Sequence, residues 1–256
     1  MEKSNFARQF EEFGIKMYVL AILSIISIFT SGIISLVMFI VMLLSLGDIK
    51  DANVELKNEE LDKFRKYIIY AVVVGIVGAI IIIGIALIVA FLFISALPGF
   101  TYSAPMTVEE FKQIAPLIQI LLLVMLGGFP IGAVSLWLLM IAWKNFQMFL
   151  DRNSGLFPNI DSAKVIDGSG KMKKSYLYLF ISLIIGAVLV LIAFFTFPQI
   201  KTLIIDYIEG TEPSMALLGG MTAAFAIPGA AIAILGIISF ILMIIGYFKV
   251  SELRHL

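Results

Sequence analysis

Two short segments rich in glycine and proline lie inside long apolar stretches, where they could expose backbone polar groups. The first is residues 127–132, Gly-Gly-Phe-Pro-Ile-Gly, and the second is residues 227–229, Ile-Pro-Gly. Proline lacks a backbone donor and clashes with the preceding turn, so each segment is expected to kink or open a helix. Transporters use such openings to present backbone groups to a substrate. The alternative is an ordinary kink that neighbouring helices stabilise.

The candidate substrate-binding residues that follow from this pattern are uncharged. Four come from the two segments: Gly128, Pro130, Pro228 and Gly229. The fifth is Gln119, a strongly polar side chain within an apolar stretch. Gln119 can form a hydrogen bond across helices, worth about 1 kcal/mol or less, or it can contact a solute. Groups of this kind suit a neutral or apolar ligand.

Composition argues against several other kinds of chemistry. The chain has no cysteine, and its one histidine, His255, is next to last. We therefore expect no cofactor and no thiolate, haem or zinc site. The apolar stretches contain no charged residue, which argues against a proton-driven pump and against acid–base catalysis inside a membrane. The carboxylates of the linkers show no catalytic spacing, so we do not expect an enzyme. A net charge of zero argues against a nucleic-acid partner.

The segment Asp167-Gly-Ser-Gly-Lys-Met-Lys-Lys174 has some likeness to a phosphate-binding loop. A Walker loop requires Gly at the position of Val165 and Ser or Thr at the position of Met172, and no strand precedes the segment. We therefore predict a flexible loop whose basic end meets anionic lipid headgroups.

Five uncharged stretches determine the architecture: Met17–Gly47, Tyr67–Val108, Ile114–Trp143, Ser175–Ile200 and Pro213–Phe248. A bilayer core about 30 Å thick requires roughly 20 apolar residues of helix, so each stretch is long enough to span it. Apolar residues make up 61% of the chain, and its mean hydropathy is +1.07. The sequence therefore predicts an all-α, polytopic transmembrane bundle that forms one integral membrane domain over residues 1–256.

The number of helices depends on residues 17–47. A single helix there would measure about 46 Å, whereas Phe29-Thr-Ser-Gly32 is a plausible turn between two shorter helices. Cytoplasmic segments collect Lys and Arg. Five crossings would divide these residues 13 to 5 between the two sides, and six crossings would divide them 16 to 2. We therefore predict a cell-membrane protein with cytoplasmic N- and C-termini and six helices, over 9–29, 32–50, 62–97, 107–150, 172–198 and 226–252.

Local signals mark several helix ends. Thr107 and Glu110 have the spacing of a capping box that would open the fourth helix. Asn58 is a plausible N-cap for the third helix, since Glu59 and Glu60 follow it in the first turn. The segment Asn153-Ser-Gly155 is typical of a helix stop.

An internal repeat is a further hypothesis. Gly32-Ile-Ile-Ser-Leu36 resembles residues 132–136 and 236–240, and four residues recur 108 positions later, namely Lys66, Tyr70, Gly78 and Ala79. Residues 32–98 would then correspond to 132–198 in the same orientation, as in transporters built from parallel repeats. The alternative is chance similarity in a chain rich in Ile, Leu, Gly and Ala.

Three functions fit these observations. The first is a structural or accessory protein that binds membrane lipids, a second copy of itself or another membrane protein. Its small-residue faces would serve such contacts, for example Ala71, Gly75 and Ala79 at four-residue spacing. The second is a passive channel or transporter for a neutral or apolar solute, which would use the segments 127–132 and 227–229. The third is an enzyme that acts on lipids at the membrane surface.

The order of features also resembles that of small multi-pass membrane proteins of archaea and bacteria. It comprises a tight hairpin, a charged linker, a long span, an outer loop, a span that runs into Phe146-Gln-Met-Phe-Leu150, and two final spans. No activity is assigned to that group, so the resemblance implies none.

Overall fold

The computed structural model describes residues 4–30, 32–96, 106–158, 160–211 and 215–256. Within these residues the chain forms six α-helices and no strand, which confirms the predicted all-α class and the helix count. The helices are α1 (Asn5–Ile26), α2 (Ile33–Leu56), α3 (Glu59–Ala96), α4 (Val108–Arg152), α5 (Ser162–Ile208) and α6 (Met215–Val250). Short 3-10 turns occupy Ser154–Leu156 and Ser251–His255.

Five of the described helices, α2 to α6, are long and apolar enough to cross a membrane by length and composition. Helix α1 is not among them. Its first two turns and its middle carry charged side chains, and its uncharged part begins only at Met17.

The hairpin between α1 and α2 replaces the single helix that residues 17–47 could have formed. Helix α1 ends at Ile26 and α2 begins at Ile33. Gly32 has φ of +57°, a conformation that is costly for residues with a Cβ. Ser31, at the centre of the predicted turn, lies outside the described residues.

The local signals predicted at the ends of α3 and α4 are confirmed, whereas α5 ends ten residues later and α6 begins eleven residues earlier than predicted. The backbone N–H of Thr107 donates to Glu110 Oε2 at 2.7 Å, and the N–H of Glu110 donates to Thr107 Oγ1 at 3.3 Å. This is a complete capping box. The backbone N–H of Leu61 donates to Asn58 Oδ1 at 3.1 Å, directly before α3, and α4 ends one residue before Asn153.

The prediction of a flexible loop at 167–174 is wrong, because this segment lies within α5. Helix α5 begins ten residues earlier than predicted. Gly168 packs against α6: an ideal Cβ there would lie 2.7 Å from Lys249 Cβ and 3.0 Å from the Gly246 carbonyl oxygen. Asp167 pairs with Lys171, one turn later, at 3.0 Å and also contacts Lys249. The glycine therefore permits close helix packing, and the lysines are held by a carboxylate.

The chain divides into two compact units, and the long helices contribute to both. Unit 1 contains Met1–Val72, Ser135–Phe180 and Leu235–Leu256. We call its centre the aromatic core, which consists of Phe10, Phe13, Phe64, Trp143, Phe146, Phe149 and Phe157, each at most 1% exposed. The rings of Phe64 and Phe146 are 4.7 Å apart, and those of Phe10 and Phe149 are 5.6 Å apart. The aromatic core lies where the uncharged stretches meet the charged helix ends.

Unit 2 contains Val73–Val134 and Ile181–Ile234. Most of its side chains are apolar, and many are exposed, including Ile80, Leu87 and Phe91 of α3. Its small buried cluster is formed by Phe111 and Ile114, with Ile204 and Ile208 packed against them.

Candidate functional site

The two candidate segments lie in helices that continue through them, without the opening that was one of the two expectations. Helix α4 runs from Val108 to Arg152 with Pro130 inside it, and α6 runs from Met215 to Val250 with Pro228 inside it. A proline removes one donor from the backbone ladder, and a long helix retains the remaining bonds. The other expectation, an ordinary kink that neighbouring helices stabilise, stays a prediction at both places.

Two of the three glycines of the first segment, Gly128 and Gly132, allow neighbouring helices to approach α4. An ideal Cβ on Gly128 would lie 2.9 Å from Ile82 Cδ1 of α3, and one on Gly132 would lie 3.2 Å from Leu183 Cδ2 of α5. Gly78 of α3 is covered in the same way by Ile131. Because side chains of α3 and α5 occupy this space, Gly128 and Gly132 expose little backbone to a solute, whereas Gly127 is exposed.

Two of the five candidate residues are far apart along α4. Gln119 and Gly128 are both half-buried on α4, nine residues and therefore about 14 Å apart along the helix axis. Pro130 is exposed, and Pro228 and Gly229 are half-buried on α6. An ideal Cβ on Gly229 would meet nothing within 4 Å, so this glycine is not required for packing within the described chain.

An apolar groove lies beside Pro130, between α4 and α5. Its volume is about 330 Å³. It is lined by Leu126, Phe129, Pro130, Ala133, Leu183, Ile184, Ala187, Val188 and Leu191. Pro130 is the only one of the five candidate residues in this lining. Side chains of this kind suit a hydrocarbon chain and offer a polar solute no hydrogen bond.

A second apolar groove, of about 570 Å³, lies between α5 and α6 in unit 2. It is lined by Ile200, Leu203, Ile204, Tyr207, Met221, Thr222 and Phe225. This groove could not be predicted from the sequence, because nothing in the local pattern distinguishes its residues from others in the apolar stretches.

Three serines form hydrogen bonds between helices in unit 1. Ser135 Oγ donates to the carbonyl oxygen of Ala71 at 3.0 Å, and Ser239 Oγ donates to that of Ser175 at 2.9 Å. The hydroxyls of Ser175 and Ser239 are also 2.8 Å apart. In the same unit, Trp143 Nε1 is buried beside Tyr176 and forms no hydrogen bond of regular geometry with a described residue. The recurrence of Gly-x-x-Ser at 132–135 and 236–239 was the sequence signal for two of these serines.

Charged side chains pair at the ends of the helices in unit 1. Lys16 Nζ lies 2.6 Å from Asp48 Oδ2, and this carboxylate is only 9% exposed. Arg152 pairs with Glu60 between α4 and α3. Among the described residues, no three His, Asp or Glu side chains are grouped so that they could hold a metal ion. These two pairs link neighbouring helices.

Comparison of this chain with protein-family models, with curated proteins and with solved structures finds no match in any of the three.

Proposed function

We propose that this protein is a structural or accessory interaction protein of the cell membrane, with several spans, cytoplasmic termini and no catalytic activity. Its partners are membrane lipids, together with a second copy of the chain or another membrane protein. The observation that carries the proposal is the packing around 128–132, where Ile82 and Leu183 occupy the space that a solute would need.

Exposed apolar side chains support the membrane location. Ile80, Phe91 and Ile94 of α3 are between 66% and 72% exposed. Soluble monomers rarely expose contiguous apolar surface of this extent, whereas acyl chains cover it without cost. The helices that carry this surface are those long enough to span a bilayer.

Charge distribution supports cytoplasmic termini. The N-terminal segment, the linkers 48–66 and 144–174 and the C-terminal tail hold 16 of the 18 Lys and Arg residues. The two opposite segments hold only Lys112 and Lys201. Positive charge favours the cytoplasmic side of a membrane.

A passive path for an apolar solute is the second candidate, and the groove beside Pro130 favours it. Because its lining is entirely apolar, its cargo would be a hydrocarbon or an acyl chain. Polar solutes are less suited, since the lining provides no polar group to replace their hydration.

Two measurements on the full chain separate these functions. The first is the release of a neutral dye and of glycerol from proteoliposomes, where a structural protein leaves the rate equal to that of empty liposomes. The second is cross-linking in native membranes, where a structural protein gives a discrete assembly larger than the 28.2 kDa chain. Release that rises with the amount of protein and falls in Pro130→Ala, with only monomers cross-linked, would establish transport and overturn the structural proposal.

A further inference from the structure

We propose that the α1–α2 hairpin is a re-entrant membrane element. It enters the bilayer from the side that holds the N-terminus and turns back among the acyl chains without reaching the other face. This inference rests on the proposed membrane location and adds a lipid contact that helix composition alone does not assign.

Because α1 and α2 pack antiparallel, the contacts between them show which of their residues lie at the same depth. The backbone N–H of Phe6 donates to Glu55 at 3.1 Å, and Lys16 Nζ donates to both carboxylate oxygens of Asp48, at 2.8 and 2.6 Å. No charged residue lies between Lys16 on α1 and Asp48 on α2. Their ion pair therefore marks the depth at which the hairpin becomes wholly apolar.

The apolar arms are too short to cross a bilayer. Ten residues separate Lys16 from the end of α1 at Ile26, which is about 15 Å of helix. Fifteen residues run from Ile33 to Gly47 in α2, about 22 Å. The hydrocarbon core is about 30 Å thick and takes roughly 20 apolar residues of helix to cross, so neither arm reaches the other face. Helix α2 reaches spanning length only when Asp48 and the charged turns after it are counted.

The tip of the hairpin has the chemistry of a buried turn. Its large exposed side chains are apolar: Ile28 is 60% exposed, Phe29 is 82% exposed and Ile33 is 78% exposed. Thr30 is also exposed. The hydroxyls of Ser27 and Thr30 bond to their own backbone, since Ser27 Oγ donates to the Ser24 carbonyl oxygen at 2.7 Å and Thr30 Oγ1 donates to that of Ile26 at 3.2 Å.

The backbone donors on the α1 side of the tip are paired. The N–H groups of Ser27, Ile28 and Phe29 all donate to carbonyl oxygens of the last turn of α1, at 2.8 to 3.2 Å. In hydrocarbon each unpaired backbone group costs several kcal/mol, so a turn there must bond internally. The end of α5 differs, because Asp206 and Glu209 give it the charge expected of a segment in water.

Acyl chains are therefore the occupants of the surface around Phe29. The alternatives are that a second copy of the chain covers this surface or that it faces water at one side of the membrane. Measurements of depth in the bilayer distinguish these cases.

The test uses the natural absence of cysteine and a membrane-impermeant maleimide on the full chain in sealed membrane vesicles. The tip variant is Phe29→Cys, and the controls are Ser154→Cys and Glu209→Cys, at exposed positions at opposite ends of α5. We expect the two controls to react from opposite faces. We expect the tip variant to react from neither face, and at least tenfold more once detergent is added, because a thiol in hydrocarbon does not form the reactive thiolate.

A fluorophore on the same tip variant measures depth. Spin labels near the acyl-chain ends are expected to quench it more than spin labels near the headgroups. Tip labelling from the Glu209→Cys face would mean that the hairpin crosses, and labelling from the Ser154→Cys face would mean that it is not inserted. Either result overturns the proposal, as does tip protection that persists in detergent, which would indicate a protein-covered dimer.

The controls separate this inference from the proposed membrane location. If Ser154→Cys and Glu209→Cys react from the same face, α5 does not span and the location itself fails. Should the tip variant not fold, Thr30→Cys replaces it, and hydrogen exchange on the unmodified chain in lipid nanodiscs requires no variant. There, amides of 27–30 should exchange at least tenfold more slowly than those of 209–211, and equal rates would overturn the proposal.

Discussion

Ser239 on α6 donates a hydrogen bond to the carbonyl oxygen of Ser175 on α5, 64 residues earlier in the chain. Ser135 on α4 donates to Ala71 on α3 across the same separation of 64 residues. The α3–α4 and α5–α6 pairs are therefore fastened in the same way. This correspondence relates α3–α4 to α5–α6, whereas the predicted internal repeat relates residues 32–98 to 132–198. That repeat stays a prediction.

The Ser175–Ser239 contact is expected to stabilise the fold measurably. Ser239→Ala should lower the free energy of unfolding in detergent by about 0.5–2 kcal/mol, because two hydrogen bonds between buried groups are lost. A double-mutant cycle with Ser175→Ala should return a coupling energy of about 1 kcal/mol. Strictly additive single effects would show that the two hydroxyls do not interact.

Substitutions at neighbouring glycines should differ sharply on α4. Gly128→Leu is expected to cost about 1–3 kcal/mol, because its side chain would collide with Ile82. Gly127→Leu is the matched control, since an ideal Cβ there meets nothing within 4 Å. Thermal unfolding of both variants in detergent provides the comparison. Equal stability would mean that the space beside Gly128 is open, as a solute path requires.

Local chemistry was readable from the sequence. Thr107 with Glu110, and Asn58 before α3, act within a single turn, so their spacing predicts the structure directly. The hairpin at Gly32 was readable for the same reason. Gly128 and Gly168 were misjudged, since their role depends on Ile82 and Lys249, which lie far away in sequence. A glycine that opens a helix and a glycine that receives a neighbour have the same local sequence pattern.

The aromatic core should dominate the stability of unit 1. Phe146→Ala is expected to cost about 3–5 kcal/mol, because Phe146 is fully buried and its ring contacts four other rings of the core. Phe91→Ala is the control on an exposed helix face, where Phe91 is 71% exposed. Its effect in detergent should stay below about 0.5 kcal/mol. Similar losses in the two variants would contradict the assignment of the core.

The Lys16–Asp48 pair should be more costly to break than to remove. Lys16→Met leaves the nearly buried Asp48 carboxylate without its partner and is expected to cost about 1–3 kcal/mol. The double variant Lys16→Met with Asp48→Leu removes both charges and should recover most of that loss. Lys63→Met breaks the exposed Lys63–Glu59 pair, with its 2.7 Å contact, and should leave the unfolding midpoint unchanged. If the double variant is as unstable as Lys16→Met, the attraction between Lys16 and Asp48 itself stabilises the protein. The pair at the base of the hairpin would then stabilise the turn as well as set its depth.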